Sequence, residues 1–257
     1  MSPILRKFII AAVLPVALAA CGKQDDQTLQ GWVEADFIYV SSDEAGRVET
    51  LSVREGDRVS KGDPLFSLDD DLQKSDVTVR KASVTNAQQA FDRASDLLKT
   101  AAGTQKNYDD SQAALRTAEA NLAWAETRLK RRSLASPVEG TVHQVYYRIG
   151  ETVAATRAVV AILPPSNFKI RFFAPQADLP KIAIGDTVKV TCDGCEANLT
   201  ATVSFIARNA EYTPPVIYSM EERAKLVFLI EAKPDKPSAF RVGQPVSVAF
   251  KSAGAAK

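Results

Sequence analysis

Two stretches of this chain read as copies of one another, separated by a stretch of different periodicity. Gly46, Val48, Arg54, Gly56 and Val59 recur as Gly140, Val142, Arg148, Gly150 and Val153, each pair 94 residues apart. Five identities in a single register mark an internal repeat. Each copy alternates apolar and polar residues between glycines, the pattern of short half-buried strands joined by tight turns. Leu65 and Leu68 correspond to Val159 and Ile162, so both copies end in a similar apolar strand. A lone copy would leave its apolar face in water, which predicts that the two pair into one small β-sandwich.

The insert between the copies has a seven-residue period. Val77, Val84, Phe91 and Leu98 form one ladder, with Ala87, Ala94 and then Ala101 on its small side. Tyr108, Leu115, Leu122 and Leu129 form a second, accompanied by Ala118 and Ala125. Large residues at one seam position and alanines at the other suit two closely packed helices. Gly103, within Ala101-Ala102-Gly103-Thr104-Gln105, is the expected helix breaker. Asp69, Asp70 and Asp71 open the first helix while Lys130, Arg131 and Arg132 close the second, each complementing its end of the helix dipole. A single narrow apolar stripe on otherwise polar helices predicts an antiparallel hairpin rather than a buried helical core. With roughly thirty residues per arm it would reach about 45 Å.

From Ser166 onward the pattern returns to strands, expected over Phe168 to Phe173, Thr187 to Thr191, Leu199 to Ile206, Leu226 to Glu231 and Val246 to Phe250, with one short helical stretch from Ala177 to Ile184. A small antiparallel barrel closes such a set, and Gly31 to Phe37 is a candidate additional strand. At the other end, Arg6 and Lys7, an apolar run from Phe8 to Leu18 and the small Ala19 and Ala20 form a secretory signal peptide. A formal net charge of +1, which drops when the leader takes Arg6 and Lys7, leaves a near-neutral mature chain with no electrostatic footprint for nucleic acid. One histidine, His143, and three cysteines offer little to a metalloenzyme, and His143 reads as a structural or surface residue. Neither catalytic nor cofactor-binding residues are expected. Cys192-Asp193-Gly194-Cys195 admits a disulfide, two free thiols, or half of a metal site. Asp193-Gly194 suits a two-residue hairpin turn that would set the cysteines opposite one another, and an oxidising compartment favours the disulfide.

Several of these segments resemble known families. Leu18-Ala19-Ala20-Cys21 resembles the lipobox of bacterial lipoproteins, which implies acylation of Cys21 and a tethered mature chain. Gly22, where an aspartate commonly marks inner-membrane retention in enteric bacteria, leaves the choice of membrane open. Gly46 to Leu68 and Ser136 to Leu163 resemble the two halves of a lipoyl or biotinyl carrier domain. The modified-lysine motif of true carriers is missing, the nearest lysine being Lys74 in Asp71-Leu72-Gln73-Lys74-Ser75.

Together the lipobox, split halves, helical insert and trailing strands resemble the HlyD-type membrane fusion proteins, the periplasmic adaptors of export pumps. Asn209 to Ser219 and Arg223 to Phe228 look like the subgroup associated with ABC-type exporters. The early end of the chain after the barrel agrees with the expected lack of a further membrane-proximal domain. The resemblance implies a mainly β fold with a long α-helical hairpin. Its expected parts are a signal peptide (1–20), a lipidated linker and candidate barrel strand (21–35), lipoyl-like half 1 (36–69), the hairpin (70–133), half 2 (134–163), a β-barrel (164–250) and a tail (251–257). It further implies a ring-like homo-oligomer, expected to be a hexamer, an inner-membrane transporter of ABC type, a TolC-like outer-membrane channel, and a periplasmic location with the anchor in the inner membrane. An adaptor of an RND- or MFS-type pump is the nearest alternative. A degenerate carrier and a periplasmic metal chaperone on Cys192 and Cys195 represent other classes. Channel-contacting tips in the family resemble Arg-x3-Leu-x6-Ser, and Arg93, Leu97 and Thr104 stand at those intervals with threonine for serine. Cys21→Ser should abolish incorporation of labelled fatty acid and leave the precursor unprocessed, as read by autoradiography and intact mass.

Overall fold

A computed structural model describes residues 28–212 and 226–250 of the chain. The signal peptide, Cys21 and most of the Asn209 to Ser219 segment lie outside those residues. The chain divides into two compact units, one formed by residues 35–167 and the other by residues 1–34 with 168–257.

The first unit contains the repeat. Its first half supplies β2 (Ile38–Ser41), β3 (Gly46–Leu51), β4 (Arg58–Val59) and β5 (Pro64–Leu68), following β1 (Thr28–Ala35) of the other unit. Its second half supplies β6 (Ser133–Ala135), β7 (Gly140–Val145), β8 (Thr152–Val153) and β9 (Ala158–Leu163). They form two four-stranded sheets, in the orders β2-β9-β7-β4 and β6-β5-β3-β8. Exchanging equivalent strands of the two halves converts one order into the other, and each sheet takes two strands from each half. The repeat pairs meet in the core: Val48 and Val142, Leu65 and Val159, Leu68 and Ile162 are all buried. Fully burying such side chains stabilises by about 1.5–3 kcal/mol each, which neither half could obtain alone.

Between the halves run α1 (Asp71–Lys99) and α2 (Gln105–Lys130). At 1.5 Å per residue α1 is about 43 Å long. Phe91 packs on Tyr108 with ring centroids 5.3 Å apart, and Lys81 reaches Glu126 at 3.9 Å, so the helices run antiparallel. On α1 the least exposed positions include Val77, Arg80, Val84, Ala87, Phe91, Ala94 and Leu98; on α2 they include Tyr108, Ser111, Leu115, Ala118, Leu122, Ala125 and Leu129. That is the heptad seam, with alanine letting the backbones approach. Ala101, expected on the seam, stands instead outside the helix and exposed.

Where α2 returns to the sandwich, a charge cluster holds it. Arg128 grips Glu44 with both nitrogens, Nε to Oε1 at 2.8 Å and Nη2 to Oε2 at 3.2 Å. Arg132, nearly buried, donates to Glu44 Oε2 at 3.0 Å and to the Ala45 carbonyl at 2.9 Å. Gln73, its amide oxygen turned toward the guanidinium, accepts from Arg132 Nε at 3.0 Å, and Arg131 pairs with Asp43 at 3.0 Å. Arg131 and Arg132 therefore act as partners of the β2–β3 loop, where dipole complementarity alone was expected. Fixed carboxylates at hydrogen-bond distance outweigh a diffuse half-charge that fades within one turn. Gly46 belongs to the same joint: a Cβ there would lie 2.6 Å from an Arg132 nitrogen.

The second unit is built on β1, β10 (Phe168–Pro175), β11 (Thr187–Thr191), β12 (Leu199–Ile206), β13 (Glu211–Tyr212), β14 (Leu226–Pro234) and β15 (Pro245–Phe250). The order β10-β1-β15-β11-β12-β14 closes on itself through β14 and β10, a six-stranded barrel, and β13 pairs with the first residues of β14. Val33, Ile170, Phe172, Val188, Val190, Val203, Ile230, Val246 and Val248 fill it. The expected helical stretch from Ala177 to Ile184 is only the 3-10 turn Leu179–Lys181. Pro180 inside so short a segment removes a donor and stops an α-helix from propagating.

One turn recurs in both units. Arg54-Glu55-Gly56-Asp57, Ser60-Lys61-Gly62-Asp63, Arg148-Ile149-Gly150-Glu151, Ala183-Ile184-Gly185-Asp186 and Arg241-Val242-Gly243-Gln244 each close with the fourth N–H on the first carbonyl, at 3.1–3.2 Å. The third residue is glycine at φ between 82° and 97°, as a type II turn requires. The fourth side chain accepts from the first N–H at 2.7–3.0 Å. A carboxylate or amide thus satisfies the backbone donor that the turn strands.

Arg128 beside Glu44 holds that carboxyl below its usual value of 4.5. A carboxylate with a lowered folded pKa contributes stability that is present above the unfolded pKa and lost as pH falls through the folded one. Glu44→Gln should cost about 1–2 kcal/mol near neutrality. In thermal melts from pH 7 to pH 3, the gap between wild type and variant should begin to narrow near pH 4.5, where the unfolded carboxylate protonates, and close at lower pH as the native one follows.

Candidate functional site

The residues between α1 and α2 are closed by backbone bonds of a specific kind. The Ala102 N–H donates to Leu97 O at 2.9 Å and the Ala101 N–H to Leu98 O at 3.0 Å, the paired bonds of a Schellman ending. The left-handed residue is Ala101, at φ 56°, so Gly103 is not the helix breaker expected. Gly103 serves proximity instead. Its N–H donates to Leu97 O at 2.9 Å, and a Cβ on it would lie 3.0 Å from Leu97 Cβ. Thr104 caps α2, its hydroxyl accepting from the Asn107 N–H at 3.2 Å.

This geometry decides how the three motif residues are presented. Leu97 has its carbonyl held by Ala102, Gly103 and the Thr100 hydroxyl at 3.1 Å, yet its side chain is 49% exposed. It lies off the seam, one residue before Leu98, which occupies it. Arg93, one turn earlier on the same face, is exposed and makes no hydrogen bond or ion pair among the described residues. Thr104 lies across the connection, its oxygen already engaged as a cap. The arrangement offers an apolar knob on a pinned backbone and a guanidinium with its donors unused, the equipment of a binding surface.

Cys192 and Cys195 stand within disulfide span, Cα to Cα 5.3 Å. The turn joining them is not the expected hairpin. Val190 pairs with Leu199, so the β11–β12 connection runs over eight residues, and Cys195 N–H donates to Cys192 O at 3.2 Å inside it. Of Asp193 and Gly194 the glycine alone has positive φ, whereas a two-residue turn of the Asp-Gly type needs it at both central positions. Gln244 Nε2 lies 3.3 Å from Cys195 Sγ, and both cysteines pack on the barrel core.

His143 is exposed and stacks on Phe37 at 4.3 Å. Lys74, the nearest lysine to a carrier position, is drawn into an ion pair with Asp70 at 2.7 Å, which raises its pKa. Among the described residues no group of three or more His, Cys, Asp or Glu could hold a metal, and no helix is long and apolar enough to cross a membrane.

Glu44 and its arginine partners escaped the sequence reading. The only signal was Asp43-Glu44 before Gly46, ordinary surface charge until the fold brings it to the end of α2. Exposed apolar side chains on both helices escaped it as well. Leu72, Val79 and Arg93 fall on one heptad column of α1, and Trp124, with Arg128 over its ring at 4.8 Å, is exposed on α2.

No family model matches the chain. An uncharacterised protein of Haemophilus influenzae is 27% identical over 154 residues, covering 60% of this chain and 40% of that protein. A UPF0194 membrane protein of Acidithiobacillus ferridurans is 24% identical across 96% of each chain, and one of Yersinia pestis is 24% identical over 95% of this chain and 98% of its own. Among solved structures, a MacA-MexA chimera carrying the Pseudomonas aeruginosa MexA α-hairpin superposes with a TM-score of 0.71 at 21% identity, covering 88% of this chain and 81% of the chimera. The membrane fusion protein Spr0693 of Streptococcus pneumoniae superposes at 0.68 with 19% identity, covering 88% and 100%. The two units and the helical pair therefore share the fold of the membrane fusion proteins.

Proposed function

We propose that the chain is the periplasmic adaptor subunit of a tripartite export pump, linking an inner-membrane transporter of ABC type to a TolC-like outer-membrane channel. The observation that carries this reading is the connection between α1 and α2, where Leu97 is half exposed on a backbone held by three donors and Arg93 has no partner among the described residues. Such a site recognises another protein rather than transforming a substrate. The likeness in fold to membrane fusion proteins supports the same reading.

In this reading the helical pair is the hairpin that meets the channel. Leu97 enters a groove between the channel's helices, Arg93 donates its fork to carbonyls or carboxylates there, and Thr104 fixes the start of α2. The seam of alanines and larger side chains keeps the tip rigid, so little side-chain and backbone entropy is lost on docking. Several copies in a ring, with a hexamer as the working number, would present several such tips to one channel and multiply a weak contact into a firm one. Acylated Cys21 tethers each copy to the membrane, and the pairing of Cys192 with Cys195 is maintained as a disulfide in the oxidising periplasm. The ABC assignment rests on the resemblance of Asn209 to Ser219 and Arg223 to Phe228, most of which lies outside the described residues.

Arg93→Glu and Leu97→Asp should each weaken crosslinking to the outer-membrane channel by about tenfold while leaving the helical content and melting temperature unchanged. Normal export by both variants at native expression would sink the docking role. Thr104→Ser keeps the capping hydroxyl and should behave as wild type in the same assay. For the cysteines, thiol alkylation of the exported protein followed by mass analysis should add label at residues 192 and 195 only after reduction. Full labelling without reductant would show the pair to be free thiols.

A further inference from the structure

The barrel has two distinguishable ends, and strand register assigns residues to each. Thr28 faces Ala249 and Val188 faces Phe250, so the start of β1, the end of β15 and the start of β11 lie together. The turn before β11 is bonded to the far part of β12, Gly185 N–H to Val203 O at 2.8 Å and Val203 N–H to Asp186 O at 2.9 Å. Ile184, in that turn, and Phe205, near the end of β12, therefore belong to this end. Val242 belongs to the opposite end, where Gly243 N–H meets Val33 O and Trp32 faces Pro245.

Both residues at the first end are out of keeping with a solvated rim. Ile184 is 67% exposed and Phe205 48%. Ile184 occupies the second position of the recurring turn, which holds Glu55 and Lys61 in two of the other turns and the exposed Ile149 and Val242 in the remaining two, so the turn permits an apolar side chain without demanding one. Arg208, two residues beyond β12, is exposed and makes no hydrogen bond or ion pair among the described residues. The chain also enters the barrel at this end. Only six residues lie between Cys21 and Thr28, and the seven chain steps reach at most about 24 Å when extended. An eight-residue strand then carries the chain about 26 Å to the other end.

We infer that the barrel end bearing Ile184, Phe205 and Arg208 is apposed to the bilayer, with the two apolar side chains in the headgroup and acyl boundary and Arg208 among anionic lipid phosphates. This rests on the acylation of Cys21 proposed above. Two side chains bind a membrane weakly, but a tether this short holds them at high effective concentration beside it. Their effect is therefore orientation: β1 runs away from the membrane, and the end bearing Val242 is kept from it.

The test uses the full-length acylated protein in vesicles of phosphatidylethanolamine and phosphatidylglycerol containing lipid with a nitroxide near the headgroup. Bimane is placed singly at Ile184→Cys, Phe205→Cys and Val242→Cys, with labelled wild type as the blank. Quenching at 184 and 205 should exceed that at 242 by at least about threefold. A further reporter at Thr187→Cys should lose its quenching when Ile184→Asp and Phe205→Asp are combined, in a protein that melts as wild type does. Equal quenching at all three sites, in protein whose acyl chains are seen by intact mass, overturns the inference. So does a Thr187 reporter that stays quenched in the double variant, because the tether alone would then set the apposition. Shielding of 184 and 205 in native membranes without quenching in vesicles assigns this end to a protein partner and likewise overturns it. If the intact mass shows no acyl chains, it is the anchoring reading that fails.

Discussion

The pairing of β5 with β6 is the constraint from which the rest of the first unit follows. Ser67 faces Ser133, and the Leu68 N–H donates to Arg132 O at 2.8 Å. The two ends of the insert thus leave and re-enter the sandwich side by side. A chain that departs and returns at adjacent points on two long helices must turn back once, so the helices are antiparallel before any seam contact is considered. The seam then chooses their register, with Ala118 and Ala125 allowing close approach. The two halves of the sandwich in turn need one another, since each sheet takes strands from both.

Rigidity at the joint comes from electrostatics as well as from apolar burial. Glu44 accepts from Arg128 and Arg132, while Arg132 also reaches the Ala45 carbonyl and Gln73. A nearly buried guanidinium with its donors occupied is a geometric lock, because removing a partner leaves a charge that water reaches poorly. Displacement at the base of a helix some 40 Å long is magnified at its far end. The presentation of Leu97 and Arg93 is therefore set partly by Glu44, far away along the pair.

The five recurrent turns have a similar logic on a smaller scale. A glycine supplies the positive φ, and the following Asp, Glu or Gln returns its side chain to the first N–H. Each such turn delivers the chain into a strand with its first, third and fourth N–H groups paired, which matters in short strands where one lost bond is a large fraction of the ladder. The cysteine turn has the same backbone bond, Cys195 N–H to Cys192 O, but no side chain returning to its first N–H, and it lies within a longer connection packed on the barrel core.

The repeat, the heptads and the strand runs were legible in the sequence because each is a local period: Val48 with Val142, Val77 through Leu98, and Leu199 to Ile206 declare their faces by spacing alone. Arg93, Leu97 and Thr104 stand out only through the resemblance to a family tip motif, not through any period of this chain. What could not be read was any feature decided by a distant partner. Ala101 rather than Gly103 takes the left-handed position, because the Schellman bonds to Leu97 and Leu98 fix where α1 ends and Gly103 is needed for close approach. Asp193-Gly194 does not make the hairpin turn, because β11 and β12 pair only as far as buried Val190 and Leu199. Glu44 becomes a lock only when two halves 94 residues apart interleave and bring Arg128 and Arg132 to it. Periodicity is a property of neighbours along the chain and survives in the sequence; charge pairing and turn closure depend on which strands meet, and only tertiary structure decides that.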